Sequence, residues 1–391
     1  MGLGSALLLE EQPKNLVLMA RTNGYIYRDY RKGKSKKKRS LSLSMLRFVV
    51  DVVMFIALIA SAVATVICTI TPNFKPEQLG IVSVVVLAAP IIYIILVCTL
   101  FYWIIRWKWT FVGISLIFVI VGMFSVEKYY QIYFKQQATS FHKGNLMVMS
   151  YNICAQNKEA IVDSISKLRP SILCVQEYKS DSAFVWDRLG NKYTSTASGS
   201  ANFSCEIFTN QRIIRQGLID SLPRFNAIWA DILFKKDTIR VVNLHLKSTA
   251  ITAQDMEFVE GHRYVLDSAR TSKIRSITDK LVDNNIYRSA QARKVREFID
   301  ASQNMKLIVC GDFNDIPLSY TYKTISQPLS DTFIAAGHGY RYTFNGFFRL
   351  LPIDYILTSE DIEVLSSEID YSICLSDHYP IIARLNIKNN N

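Results

Sequence analysis

The seven cysteines include no pair at the short spacing of a zinc site, so nothing in the chain announces a structural zinc centre. Internal repeats and long low-complexity tracts are also missing apart from one basic run, which argues against a solenoid. A cleaved signal peptide is not expected either, because the first long apolar stretch starts too late and runs too long. An excess of one charge is missing from most of the chain. The net charge is +12 over 391 residues, but up to Ser140 there are 16 Lys+Arg against 6 Asp+Glu, and from Phe141 onward 29 against 27. The C-terminal two-thirds therefore lacks a broad basic face for duplex nucleic acid, although charges can still cluster in three dimensions. The cysteines read as small buried apolar residues, and their number does not fix the redox compartment.

What is present first is apolar sequence. Residues 1–44 read as a polar, irregular cytoplasmic segment carrying the basic run Arg28 to Arg39. Beside a membrane span such a run marks the cytoplasmic side and meets anionic lipid headgroups. Residues 45–126 then hold three apolar segments, at about 46–70, 81–105 and 109–126. The first two are long enough to span, and the third is marginal against the ~20 residues required. Three crossings from a cytoplasmic N-terminus make this a multi-pass protein of the plasma (inner) membrane. They place everything after Val126 on the extracytoplasmic side, and Arg106-Trp107-Lys108 falls inside. If the third segment does not cross, that sidedness reverses. A linker, 127–144, leads to a domain over 145–391.

Within that domain the informative stretch is Leu307-Ile308-Val309-Cys310-Gly311-Asp312-Phe313-Asn314-Asp315. Four apolar residues read as a buried strand, glycine marks the turn, and an acid and an amide two residues apart can converge on one ligand. Asp and Asn are also ordinary turn residues. Similar polar ends follow other expected strands. Leu146 to Asn152 ends in an amide. Ile172 to Val175 is followed by Gln176-Glu177, after a helix containing Ile161, Ile165 and Leu168. Ile239 to Leu246 carries Asn243 and His245, with His245 on the face opposite Leu244. Leu351 to Leu357 holds one acid, Asp354, and Ser376-Asp377-His378 precedes the strand Ile381 to Leu385. The polar stretch Lys247 to Gln303 reads as helices with solvated charged faces. Each feature alone has a bland alternative: a surface glutamate, a structural histidine, a polar turn.

Taken in order, Tyr151-Asn152, Gln176-Glu177, Asn243-Leu244-His245-Leu246, Gly311-Asp312-Phe313-Asn314, Ile353-Asp354-Tyr355-Ile356 and Ser376-Asp377-His378-Tyr379-Pro380 form a pattern. It closely resembles the endonuclease/exonuclease/phosphatase family, which includes pancreatic deoxyribonuclease, abasic-site endonucleases, neutral sphingomyelinases and inositol-phosphate 5-phosphatases. The resemblance runs from about Leu146 to Leu385. It implies a four-layer α/β sandwich, two packed mixed sheets flanked by helices, here preceded by a transmembrane helical anchor. It also implies a magnesium ion, with manganese as the alternative.

By that resemblance Glu177 is the principal metal ligand, with Asn152 and Asp377 near the same ion or the phosphate. Asp312 orients or deprotonates the attacking water, Asn314 holds a phosphate oxygen, and His378 contacts the phosphoryl oxygens while Asp354 orients it. His245 matches the second histidine of the deoxyribonuclease and sphingomyelinase branches. It contacts substrate as the expected general acid, with Glu206 as its candidate carboxylate partner. The implied activity is metal-assisted hydrolysis of a phosphate ester. A membrane-proximal phospholipid, a nucleic acid and a sugar or inositol phosphate all remain open as substrate, as does a non-catalytic sensor of phosphorylated ligands. No protein partner is implied.

Overall fold

The computed structural model describes residues 31–132, 146–154, 158–178, 194–195, 204–219, 226–261 and 268–388. The chain divides into two compact units, Met1–Val53 and Met54–Asn391. The described part of the first unit is the opening stretch of helix α1 (Arg31–Ile70), which runs on into the second. The sequence reading expects irregular chain up to Ser44. The helix instead takes in Arg31 to Ser44, because Lys, Arg and Leu are good helix formers and no proline or glycine pair interrupts them. The first residues of the basic run lie outside the described residues.

The second apolar segment also departs from a single helix over 81–105. It is broken into α2 (Pro76–Leu79), α3 (Val82–Val85), a 3₁₀ turn over Val86–Ala88, and α4 (Ala89–Ile105). Pro90 in the first turn of α4 explains the restart, since a missing N–H costs nothing where no helical acceptor is available. Helix α5 (Trp109–Val126) follows. Leu43–Asn73, Pro76–Ile105 and Trp109–Val126 are each long and apolar enough to cross a membrane. Leu58, Leu96 and Trp103 bury themselves between these helices against Phe111 and Phe118, while Ile94, Phe101 and Phe124 stay exposed. An apolar outer surface of this kind suits hydrocarbon rather than water.

After α5 the chain forms β1 (Tyr130–Gln131), and residues 133–144 of the expected linker lie outside the described residues. The strands that follow are β2 (Leu146–Asn152), β3 (Ile172–Tyr178), β4 (Thr194–Ser195), β5 (Ser204–Thr209), β6 (Arg212–Leu218), β7 (Asn226–Phe234), β8 (Asp237–His245) and β9 (Lys306–Asp312). The short β10 (Ser330–Asp331) and β11 (Gly339–Tyr340), then β12 (Asp354–Thr358), β13 (Ile362–Ile369) and β14 (Ile381–Ile387), complete the set. One sheet has the order β10-β12-β9-β8-β7-β6 and the other β13-β14-β2-β3-β5-β4. Each is mixed: β2 and β3 run parallel around helix α6 (Lys158–Leu168), and β8 and β9 run parallel around a long helical excursion.

Burial separates four layers. Between the sheets lie Val148, Ile172 and Cys174 of one sheet against Val241, Ile308, Cys310 and Ile356 of the other. Ile161 and Ile165 of α6 cover the outer face of the first sheet at Leu173 and Val175. Ala292, Val295 and Ile299 of the 33-residue helix Ser268–Asp300 cover the second sheet at Leu307 and Val309. Strand β9 is thus buried on both faces, which is why its sequence is a continuous apolar run rather than an alternation. Together the layers make a four-layer α/β sandwich, two mixed sheets flanked by helices.

Two strands of seven or more residues escape the sequence reading, as do the two-residue β1, β4, β10 and β11. β6 is an edge strand with most of its positions exposed, and β13 lies at the other sheet's edge with a bulge between Val364 and Ser366. Edges bury little, so their hydrophobic signal is weak. Four cysteines are buried as expected, but Cys98 and Cys374 are exposed.

Candidate functional site

The site is assembled at one end of the sandwich from strand ends whose side chains face inward between the sheets. Along β9, Ile308 and Cys310 point into the inter-sheet core, so Asp312 two residues later points the same way. The same count places Asn152 on β2 (after Val148), His245 on β8 (after Val241) and Asp354 on β12 (before Ile356) on that inner face. Register then aligns them laterally. Asp312 stands beside His245 on one flank and beside Asp354 on the other. Gly311 makes this possible. It sits at φ +134°, and a Cβ there would stand 2.0 Å from the Leu244 carbonyl oxygen.

Glu177 arrives by a different route. Alternation from Leu173 and Val175, which pack under α6, would send it to the outer face. Pairing with β5 shifts register between Val175 and Tyr178, and Glu177 itself has φ +57°. Bulges of this kind re-aim a side chain. The Glu177 carboxylate consequently faces the site, accepting a hydrogen bond from Asn152 Nδ2 at 3.3 Å and lying 3.7 Å from His245 Nε2.

Asp312 is the hub and is almost fully buried. One carboxylate oxygen accepts from the Asn314 backbone N–H at 2.7 Å. The other accepts from Asn314 Nδ2 at 3.0 Å and from Asn152 Nδ2 at 3.1 Å, with His245 Nε2 at 3.7 Å and His378 Nε2 at 3.8 Å. Asn314 adopts a left-handed conformation (φ +52°) that lets its side chain fold back onto Asp312 and the Leu246 carbonyl. His378 is held at its other nitrogen, Nδ1, by Asp354 Oδ2 at 2.8 Å. Asp377 is exposed on the same cavity, where Ser376 Oγ donates to its carboxylate and also to the Asn152 carbonyl.

Electrostatics divides the two histidines. Burial disfavours a charged His378, but Asp354 and Asp312 outweigh it and push the imidazole up to about 10. Burial moves His245 below its ordinary value, only partly offset by Glu177 and reinforced by His378. Burial, with Asp354 alongside, pushes the Asp312 carboxyl up to about 8 against the pull of His378, Asn314 and Asn152. Negative charge is thus in surplus here.

The donor set fits a hard divalent cation. Glu177, Asp312 and Asp377 offer carboxylate oxygens on one cavity, and the surplus charge at Asp312 is what such an ion relieves. Asn152 enters differently from the sequence expectation. Its Oδ1 accepts from the Cys154 N–H at 3.0 Å, so as oriented it presents N–H groups to the acids and anchors them. Asp312, Asp354 and His378 also lie within 4.8 Å of one another, the imidazole hydrogen-bonded to Asp354 at 2.8 Å and facing Asp312 at 3.8 Å.

Glu206 is a correction. The carboxylates facing His245 are Glu177 and Asp312. Cys205 and Ile207 occupy the inter-sheet face of β5, which puts Glu206 on the opposite face by alternation, while its carbonyl accepts from Asn243 Nδ2 at 2.8 Å.

Other positioning residues carry no role in the sequence reading. Asn243 also donates to the Val175 carbonyl and accepts from Gln176 Nε2 at 2.6 Å, tying the two sheets together beneath Glu177. Asp315, read there as a turn residue, is buried against Arg288 and accepts from the Ile316 N–H. Buried Arg341 pairs with Asp331 at 2.8 Å and reaches the Asp354 carbonyl. Their polarity inside apolar sequence is the available signal, since buried polar groups need partners; sequence alone does not say which.

A family model described as the endonuclease/exonuclease/phosphatase family matches residues 149–378, and a second, described as a domain of unknown function, matches residues 51–129. No curated protein matches the chain. Among solved structures, similar ones include an endonuclease/exonuclease/phosphatase from Bacteroides vulgatus (18% identity over 63% of this chain and 100% of that one, TM-score 0.47). The catalytic domain of human Nocturnin is 20% identical over 63% and 96% of the two chains (TM-score 0.45). A mannosyl-6-phosphatase from Bacteroides thetaiotaomicron is 17% identical over 62% and 100% (TM-score 0.45). With over half its length matched by the family model, the chain belongs to the endonuclease/exonuclease/phosphatase family and is a metal-dependent phosphoric ester hydrolase.

Proposed function

We propose that this is a membrane-anchored phosphoesterase that uses magnesium to hydrolyse a phosphodiester by attack of water. The observation that carries the reading is the convergence on Asp312 of Asn152, Asn314, His245 and the Asp354–His378 pair, with Glu177 across the cavity. Glu177, with Asp312 and Asp377 alongside, would hold the cation, which when bound offsets charge on the non-bridging phosphate oxygens. Asp312 takes a proton from the attacking water; Asn314 and Asn152 fix its carboxylate for that task. His378, held as an imidazolium by Asp354, donates Nε2–H toward the phosphoryl oxygens. His245, whose pKa is lowered by burial, releases a proton readily and stands where a leaving oxygen needs one.

Metal binding has a readout apart from turnover. A raised pKa on Asp312 means the metal-free fold binds more protons than the unfolded chain between the ordinary carboxylate value and about 8, so stability at this site falls as pH rises through that window. His378 has the same sign from the ordinary histidine value up to about 10. Magnesium should therefore raise the melting temperature of the full chain in nanodiscs, and raise it more at pH 8 than at pH 5. Glu177→Ala should abolish the shift, and chelation should stop hydrolysis. A shift that survives Glu177→Ala would place the ion elsewhere.

We further place the catalytic domain opposite the basic N-terminus. The link between the first two apolar stretches and the ends that flank it pack on the catalytic domain: Arg293 pairs with Glu77 of the link at 2.9 Å, Asn285 donates to Ser83 at 2.9 Å, and Cys68, Val86 and Ala89 pack against Ile316, Leu318 and Ile353. That segment and the domain must then share a side, which three crossings satisfy and two do not. The basic run before the first span and Arg106 and Lys108 fall on the other side. A membrane-impermeant thiol reagent should label exposed Cys374 in sealed right-side-out vesicles. Labelling only after lysis reverses the placement.

A further inference from the structure

One cavity of about 440 Å³ contains Glu177, His245, Asp312, Asn314, Asp377 and His378. The rest of its wall is of a different character. Val84, Leu87, Ala88 and Ile91 come from the apolar stretch Pro76–Ile105, which is long enough to cross a membrane. Ile277 and Leu281 of the long helix oppose them, and Phe344, Phe347, Phe348, Leu350 and Leu351 complete the side. Phe344 joins the two halves, its ring centroid 5.3 Å from that of His378. Among the described residues, no lysine or arginine lines the cavity.

We infer that the apolar half of this cavity holds the hydrocarbon tail of an amphiphilic phosphate ester drawn from the bilayer. This rests on the phosphoesterase reading above and adds the substrate class. A polyanion would need cations along the walls to replace its counterions, and beyond the His378 imidazolium at the phosphoryl end the described lining residues offer no lysine or arginine. A sugar phosphate would find only the Ser248 and Thr249 hydroxyls beyond the acid-and-histidine end and would set most of its own hydroxyls against leucine, isoleucine and phenylalanine. A tail finds hydrocarbon, while its phosphate reaches Asp312 and His378. The supply route is local, because the wall residues Val84 to Ile91 lead directly into α4. Phe347, Phe348 and Arg349 all have left-handed backbone (φ +50°, +54° and +58°), an unfavourable run for residues with side chains that holds two aromatic rings on the cavity. Such strain is characteristic of ligand clamps.

The test uses the full chain in nanodiscs with magnesium and a series of p-nitrophenyl phosphodiesters bearing methyl, butyl or hexyl groups, plus thymidine 5′-p-nitrophenyl phosphate. Partition into the nanodisc favours longer esters for every variant alike, so the informative quantity is how a variant changes the hexyl-to-methyl ratio of kcat/KM. The wild-type ratio should be about tenfold or more, given the transfer energy of five methylenes. Leu87→Ser and Leu281→Ser should each cut it by about fivefold or more. Phe348→Ser, at a residue 62% exposed and so tolerant of change, should cut it less but measurably. A ratio unchanged in all three variants, or a preference for the thymidine ester over the hexyl ester, overturns the tail site while leaving the phosphoesterase reading intact. No metal-dependent turnover of any member overturns both.

Discussion

Asp312→Asn should lower kcat by about 10²–10⁴-fold at saturating magnesium, the range typical of a lost general base. The substitution keeps the volume of a residue that is 1% exposed and, with its oxygen toward Asn152 and Asn314 Nδ2, two of the three hydrogen bonds, giving up the one from the Asn314 N–H; a thermal melt checks that the fold survives. What disappears is the carboxylate that Asn152 and Asn314 hold in place. His378→Ala should cost a similar factor. The double variant should cost little more than either single one, because Asp354 fixes the His378 ring 3.8 Å from Asp312 and the groups work on the same phosphoryl centre. Steady-state hydrolysis of a generic phosphodiester by the full chain decides the matter. If Asp312→Asn keeps more than about a third of wild-type activity, the assignment of water activation to Asp312 is wrong.

Gly311→Ala is expected to be the most damaging single-methyl change in the domain. The added Cβ would sit 2.0 Å from the Leu244 carbonyl oxygen, one pair from the site end of the parallel β8–β9 ladder, on a backbone with φ +134°. Neither neighbour can retreat, because Leu244 and Cys310 are fully buried in opposite layers. Overpacking and a forced backbone change together cost about 3 kcal/mol or more. For a domain of this size that is roughly 6–12 °C in melting temperature. Because Gly311 sets the spacing between His245 and Asp312, whatever folded protein remains should also lose most of its activity. A melting temperature within about 2 °C of wild type would show that the strands can separate there, contrary to this packing.

The legibility of this protein in its sequence is uneven, and the reasons are physical. Leu307 to Cys310 announces a strand buried on both faces, and period-two counting from those residues puts Asp312 on the inner face. The same counting places Asn152, His245 and Asp354, since each ends or begins a strand whose apolar positions are unambiguous. The three apolar stretches are equally plain, because a bilayer demands length and composition that are visible residue by residue. The segment Val82 to Ala88 is where that clarity ends: composition there reads as membrane helix, while the fold uses it as a broken connector packed on the catalytic domain.

What only the tertiary structure decided follows from contacts between residues far apart in the chain. Glu177 breaks the alternation of its own strand, and nothing in Val175-Gln176-Glu177 says that the register with β5 slips there. Glu206 looks like a partner for His245 by strand position, yet the face it occupies depends on which of its neighbours the second sheet covers. Asn243 and Gln176 read as motif residues without a task until two sheets are stacked and their amides meet. The apolar half of the catalytic cavity cannot be read from any one segment, because Leu87, Leu281 and Phe348 come together only when connector, helix and loop are packed. Sequence determined which chemistry this chain carries and that three of its segments are long and apolar enough to cross a membrane, because those depend on residue types and local periodicity. The tertiary structure decided which acid faces which histidine and which hydrocarbon wall stands beside them, because those depend on non-local packing.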